Sequence, residues 1–315
     1  MPLQFRGTAD LHGAVLKGIP LLPRDLDLVV GVPRSGLIPA ALISTYLALP
    51  LTDVNGFLEG RLLRSAPGAD QRVDEAEIVR RARRVLIIDD SVGHGSEMRR
   101  VRARLAGMEA HRSLHFAAVF AAPDAASVVD VAFEELARGR FFSWNLMHHE
   151  ALEQSCVDGD RLLWSAAVGG EHAGQHDDAD IEDEAAVAPL WRPTIELGWI
   201  VTEQPEGRRA ATEAWLCDTG IRFRHLVMPE HPLEANEDGA AFKAEVYRRS
   251  GARLFLTADP GVARYVTRRV GRPTIAVSAQ RMFTPSRRAR LAQAFGRLGS
   301  GGSRVWRPGK GTPRS

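Results

Sequence analysis

Residues 85–88, Val-Leu-Ile-Ile, run without interruption into Asp89-Asp90 and then into the small, glycine-bearing stretch Ser91-Val92-Gly93-His94-Gly95-Ser96-Glu97. A continuous aliphatic run of this kind reads as a parallel strand buried on both faces, which restricts the chain to an α/β sheet with helices on either side. Ligands of such sheets bind beyond the carboxyl ends of the strands. Two carboxylates there can accept hydrogen bonds from vicinal hydroxyls, as on a ribose. The loop after them offers backbone N–H groups that can cradle a phosphate, provided a helix starts near Ser96. The plainer alternative is a buried strand ending in a solvated turn, with Asp90 or Ser91 capping the next helix.

A second segment upstream has the same grammar. Leu28-Val29-Val30-Gly31-Val32 reads as a buried strand, Pro33-Arg34-Ser35-Gly36 as a tight turn, and Leu37 to Leu47 as an apolar helix. Gly36 permits close backbone approach, and the Arg34 guanidinium can fork onto phosphate oxygens. Alone, the turn is an ordinary strand-to-helix connection with one exposed arginine. Together, the two segments resemble the binding signature for phosphoribosyl pyrophosphate (PRPP) of the type I phosphoribosyltransferases. The resemblance implies that Asp89 and Asp90 hold the ribose hydroxyls and are catalytic. It also implies that Gly93, His94, Gly95, Ser96 and Glu97 hold the 5′-phosphate, and that Arg34, Ser35 and Gly36 hold the pyrophosphate with Mg2+. The implied activity is a glycosyltransferase of the pentosyl type, passing the phosphoribosyl group of PRPP to an unknown acceptor, base-like or another small molecule, in nucleotide metabolism.

The sequence departs from that signature at its phosphate loop, which is poor in threonine and carries Glu97, a charge that repels phosphate unless its side chain turns away. This departure keeps a second reading open, a non-catalytic PRPP- or nucleotide-binding regulatory protein. Between the two loops, Leu49 to Leu51 suggests a short strand. Asn55 to Asp74 is poorly periodic and matches the place of the family's mobile loop, with Arg61, Arg64 and Arg72 as candidate cations or simply solvated side chains.

At 315 residues the chain has room for two domains. A formal net charge of +2 gives no strong nucleic-acid signal. Cys156 and Cys217 have no metal or redox spacing and suit a reducing compartment. With no signal-peptide pattern and no apolar run of membrane-spanning length, the expectation is a cytoplasmic protein with no membrane partner, a homodimer being one candidate assembly.

Apolar strands at Leu26–Val32, Val85–Asp89, Leu114–Ala121 and Val129–Phe133 alternate with helices, which predicts a three-layer parallel α/β domain over residues 1–149. Trp144, near its end, suits a core or interdomain aromatic better than a stacking platform, and His148 and His149 have no partners at metal-ligand spacing. A second such domain follows at 150–298, interrupted by an acidic insert at 165–189, and a basic Gly/Ser/Arg tail at 299–315 reads as disordered. The second domain repeats the alternation: strands at Gly198–Thr202, Arg224–Met228, Leu254–Thr257 and Thr274–Val277, helices at Arg208–Thr219, Phe242–Ser250 and Val262–Val270.

Its chemistry begins at Val157-Asp158-Gly159-Asp160, two carboxylates one residue apart at the end of a short strand, continues with Thr202 and Lys243, and ends at Thr257-Ala258-Asp259. An Asp-x-Asp alone carries little; Thr202 and Asp259 also serve as helix caps and Lys243 as a surface cation. In this order, however, the series resembles the four motifs of the haloacid dehalogenase (HAD) superfamily. The resemblance implies a HAD-like Rossmannoid domain in which Asp158 is a nucleophile and Asp160 the general acid/base. Thr202 and Lys243 would contact phosphate, and Asp158, Asp160 and Asp259 would hold magnesium, as in a phosphatase acting on the first domain's product. Here Arg161 replaces the usual glycine and Thr257 the usual first acid of the last motif. The whole arrangement resembles an uncharacterised family of bacterial phosphoribosyltransferase–HAD fusions.

Overall fold

The computed structural model describes residues 3–63, 74–160, 162–164, 189–233 and 238–286. The chain divides into two units, Met1–Trp144 and Asn145–Ser315.

In the first unit the elements run β1 (Gln4–Arg6), α1 (Thr8–Gly18), β2 (Leu28–Gly31), α2 (Leu37–Leu47), β3 (Leu51–Asp53), α3 (Val54–Glu59), α4 (Glu75–Arg81), β4 (Arg84–Val92), α5 (Ser96–Leu105), β5 (Ser113–Ala121), β6 (Val131–Glu135) and β7 (Arg140–Phe142). Five of these strands form a parallel sheet in the order β3-β2-β4-β5-β6, with the diacid strand β4 at its centre. β1 and β7 pair with each other, also in parallel.

The aliphatic run of β4 serves both faces, as its composition requires. Val85 and Ile87 pack with Val54 and Phe57 of α3, Val79 of α4 and Met98, Val101 and Leu105 of α5. Leu86 and Ile88 pack on the other face with Leu11 and Val15 of α1 and Ala40 and Ile43 of α2. Each of these β4 side chains is fully buried, worth about 1.5–3 kcal/mol of transfer free energy apiece. The expected helix at Leu37–Leu47 forms between those limits. The segment expected to be irregular from Asn55 instead contains α3, whose N-terminus is capped by Asp53 accepting the Gly56 N–H at 2.7 Å. At six residues α3 is too short to print a 3.6-residue period, which is why the sequence read as loop. Arg61 pairs with Glu59 at 3.2 Å on the surface, while Arg64 and Arg72 lie outside the described residues.

The second unit is built from β8 (Ser155–Asp158), β9 (Leu197–Val201), α6 (Arg209–Asp218), β10 (Phe223–Val227), α7 (Gly239–Ser250), β11 (Leu254–Thr257), α8 (Pro260–Val270), β12 (Thr274–Ala276) and β13 (Arg281–Phe283). Its sheet has the order β10-β9-β8-β11-β12-β13 and is parallel except for β13. β8, the strand that ends in Asp158, is again flanked on both sides. Most of the acidic insert and the whole basic tail lie outside the described residues. Among the described residues no helix is long and apolar enough to cross a membrane.

Candidate active site at the end of the central strand

Register brings the two sequence segments together. β2 pairs with β4 so that Gly31 lies opposite Ile88, and the Val32 N–H donates to the Ile88 carbonyl at 2.9 Å. The turn after β2 therefore sits beside the two aspartates. Within it the Pro33–Arg34 peptide is cis, and the Leu37 and Ile38 N–H groups donate back to the Arg34 and Ser35 carbonyls at 3.2 and 3.0 Å. Gly36 is buried against the diacid: a Cβ there would collide with the Val32 carbonyl and stand 2.9 Å from Asp89 Oδ1. Only glycine lets the turn approach this closely.

Asp90 is held at both oxygens. The Ser35 hydroxyl donates to Oδ1 at 2.7 Å and the Trp144 indole N–H to Oδ2 at 2.8 Å. Asp89 accepts the Asp90 backbone N–H at 2.9 Å. Both side chains are buried. Burial, reinforced by the neighbouring Asp90 charge, pushes the Asp89 carboxyl up to about 9, so it is protonated at neutral pH. Two adjacent carboxylates cannot both ionise cheaply out of water. Trp144 is fixed by an aromatic stack, 4.9 Å from Phe142 and 6.5 Å from Phe120 between ring centroids.

The following loop turns at Gly95, whose φ of 73° suits glycine, and α5 begins at Ser96. His94 is exposed, and its carbonyl accepts from Arg99 Nη2 at 2.8 Å. Glu97 turns sideways to pair with Arg100 at 3.3 Å on the exposed face of the helix. Its charge still contributes to the raised Asp89 carboxyl, as the smallest of the causes. Arg34 is exposed beside the same site. The residues expected to hold PRPP thus lie in three places: the turn after β2, the carboxyl-terminal part of β4, and the loop from Gly93 into the first turn of α5. Sequence reasoning missed the Trp144–Asp90 hydrogen bond and Arg140, whose guanidinium approaches Gly93. Both come from the end of the unit, and no local spacing connects them to β4.

In the second unit, register again explains what meets. Asp158 lies opposite Val201, and Val157 opposite Leu256, so Thr202, just past the end of β9, and Thr257, the last residue of β11, lie on either side of Asp158. Lys243, expected near a phosphate, is buried on α7 with its Nζ 2.8 Å from Asp158, 3.0 Å from Asp160 and 2.7 Å from Glu203. Thr202 donates to Asp160 at 2.6 Å and Thr257 to Asp158 at 2.7 Å. Burial alone would lower the Lys243 ammonium, but the charges of Asp158, Asp160 and Glu203 outweigh it and raise it well above the usual lysine range. Burial pushes the Asp158 carboxyl up to about 7, against the pull of Lys243.

The expected magnesium trio does not converge. Asp259 directs its carboxylate to the Gly261 and Val262 N–H groups and caps α8, and the Lys243 ammonium stands between the other two acids. Among the described residues no group of three or more His, Cys, Asp or Glu is disposed to hold a metal ion. Thr257, at the position where the resemblance implies an acid, donates its hydroxyl to Asp158 at 2.7 Å.

Residues 17–142 match the family model described as "Phosphoribosyl transferase domain". A curated relative, the xanthine-guanine phosphoribosyltransferase of Cereibacter sphaeroides (strain ATCC 17025 / ATH 2.4.3), is 28% identical over 120 residues, covering 38% of this chain and 68% of that protein. Among solved structures, the xanthine-guanine-hypoxanthine phosphoribosyltransferase of Helicobacter pylori is 14% identical and covers 45% of this chain and 92% of its own, with a TM-score of 0.34. A purine phosphoribosyltransferase from Pyrococcus horikoshii Ot3 is 20% identical and covers 46% and 94%, with a TM-score of 0.33. The family match spans both candidate loops, and the first unit carries a phosphoribosyltransferase-like domain of α/β fold, related to the xanthine-guanine enzymes.

Proposed function

We propose that the first unit transfers the phosphoribosyl group of PRPP to a heterocyclic acceptor and releases pyrophosphate. The observation that carries this reading is the junction of two loops at one point, with Ser35 hydrogen-bonded to Asp90 and Gly36 packed on Asp89. Asp89 and Asp90 take the ribose hydroxyls. The oxygens of Asp90 each keep acceptor capacity beyond the bonds from Ser35 and Trp144. The Arg34–Gly36 turn takes the pyrophosphate, and Gly93 to Glu97 with the N-terminus of α5 take the 5′-phosphate.

In the reaction the bond from the anomeric carbon to the pyrophosphate oxygen breaks, and its electron pair leaves with pyrophosphate. A lone pair on the acceptor forms the new bond, and the acceptor proton passes to solvent or a nearby base. The diacid lies where positive charge develops at the anomeric carbon, and an ionised carboxylate fixed there by Ser35 and Trp144 stabilises it without reorganisation. Mg2+, if bound with the pyrophosphate beside the Arg34–Gly36 turn, would neutralise part of the leaving-group charge, with Asp90 as the nearby carboxylate that would hold its hydration shell. Calorimetry with PRPP and Mg2+ tests the reading. We expect binding by the intact protein that is lost when Asp89→Asn and Asp90→Asn are combined. Binding indifferent to that change refutes it. Binding without pyrophosphate release across a panel of heterocycles would instead support the regulatory reading that Glu97 motivated.

For the second unit we propose a HAD-like site that binds phosphate-type ligands through Lys243 and Thr202. The supporting observation is that Asp158, Asp160, Thr202 and Lys243, far apart in sequence, assemble at the ends of β8 and β9. Phosphatase activity unchanged by Asp158→Asn would eliminate a nucleophilic role for this aspartate.

A further inference from the structure

Arg140 opens β7, which pairs with β1 rather than with the main sheet (Gln4 lies opposite it). Its Nη1 donates to the Leu136 carbonyl at 3.0 Å, and its guanidinium carbon stands 5.8 Å from the centroid of the Phe142 ring. Its Nη2 lies 3.1 Å from where a Cβ on Gly93 would stand, so the guanidinium hangs over the first residue of the loop after β4. The side chain is half-buried, and burial holds its pKa below the usual arginine value, partly offset by the charges of Asp90 and, more weakly, Asp124. Among the described residues it makes no ion pair. Taking a guanidinium partly out of water without a paired carboxylate is costly, and a bound anion would offset that cost.

The position of Arg140 decides which part of a bound ligand that anion belongs to. The far end of the loop has its own cation. Arg99 on α5 donates to the His94 carbonyl, and its Nη1 is 3.1 Å from a Cβ position on Gly95. With the first amides of α5, Arg99 serves the 5′-phosphate end. The pyrophosphate turn lies on the β2 side of β4. Arg140 lies on the opposite side: its guanidinium donates to the carbonyl of Leu136, and the Leu136 N–H in turn donates to Ala121 at the end of β5. It stands within reach of the Asp90 charge and of the Phe142 ring that stacks on Trp144. That leaves the ligand group attached at the anomeric carbon from the side away from pyrophosphate. We propose that Arg140 is a specificity-determining residue that selects an acceptor carrying a negative charge, as a ring carboxylate or an ionised ring oxygen. The proposal rests on the transferase reading above.

The test uses the full chain at mildly alkaline pH, with xanthine, orotate and nicotinate as anionic probes and hypoxanthine and adenine as neutral ones. Pyrophosphate release is measured with PRPP and Mg2+, and ribose 5-phosphate affinity is measured by calorimetry. We expect at least one anionic probe to be used in preference to both neutral ones. Arg140→Met should lower kcat/KM for that probe about 10- to 100-fold, the loss for a charge-assisted hydrogen bond. Its affinity for ribose 5-phosphate should be unchanged, and Arg140→Lys should recover part of the rate. Preference for a neutral probe overturns the proposal, as does failure of every anionic probe to bind or react on protein that binds PRPP. A fall in ribose 5-phosphate affinity in both variants also overturns it, since Arg140 then serves the phosphate. If the unmodified protein fails to bind PRPP, it is the transferase reading itself that falls.

Discussion

Replacing Asp89 with asparagine should stabilise the first unit, and by an amount that grows with pH. The native carboxyl is raised from 3.8 to about 9, first by burial and then by the Asp90 charge. A carboxyl whose folded value lies above its unfolded value contributes stability that is complete below the unfolded value and is lost as pH rises toward the folded one. Between these limits the folded unit holds a proton that the unfolded chain has released, and the cost is about 1.4 kcal/mol per pH unit. Between about pH 6 and about pH 8 the wild-type unit should therefore lose about 1–3 kcal/mol. Asparagine has the shape of the protonated acid and still offers Oδ1 to the Asp90 N–H, so the variant should show no such slope. The assay is amide hydrogen exchange followed by mass spectrometry on peptides from β4 and β5, corrected for intrinsic exchange rates, which reads this unit apart from the other. Wild-type and variant free energies that run parallel across that range would refute the raised carboxyl and the argument built on it.

The other predictions concern packing around the two sites. Trp144→Phe keeps the ring stack on Phe142 but removes the indole donor to Asp90, so it should cost about 0.5–1.5 kcal/mol in exchange-derived stability and weaken PRPP binding in calorimetry. Gly36→Ala forces a methyl into the Val32 carbonyl, so PRPP binding should be lost even where circular dichroism shows the unit folded. Lys243→Met leaves Asp158 and Asp160 beside Glu203 without their cation and should destabilise the second unit by about 3–5 kcal/mol, measured by exchange in β8 and β9. Asp259→Ala should cost only about 0.5–2 kcal/mol of α8 stability, the loss of an N-cap, and titration calorimetry with Mg2+ should not distinguish it from wild type.

Most of the sheet was legible because buried parallel strands are written as aliphatic runs. β4, β5 and β11 lie within a few residues of where those runs predicted them. The two candidate loops could be located for the same reason, since each follows its strand directly. What the sequence hid was everything carried by long-range register. Trp144 reaches Asp90 across 54 positions, and Thr257 reaches Asp158 across 99. Asp259 shows the opposite limit. An aspartate before a proline at the start of a helix has a local use as a cap, and that use competes with any distant role read into it.

The parallel pairing of β1 with β7 has a consequence for how the unit is made. The residues of β1 leave the ribosome long before β7 exists, and they must wait until Arg140–Phe142 has emerged. Such a far-separated closure is slow relative to local steps. The strand that carries Arg140 and leads into Trp144 is therefore among the last pieces of this unit to settle. A nascent chain can hold a formed β2–β4 pair while the acceptor side of its pocket is still absent.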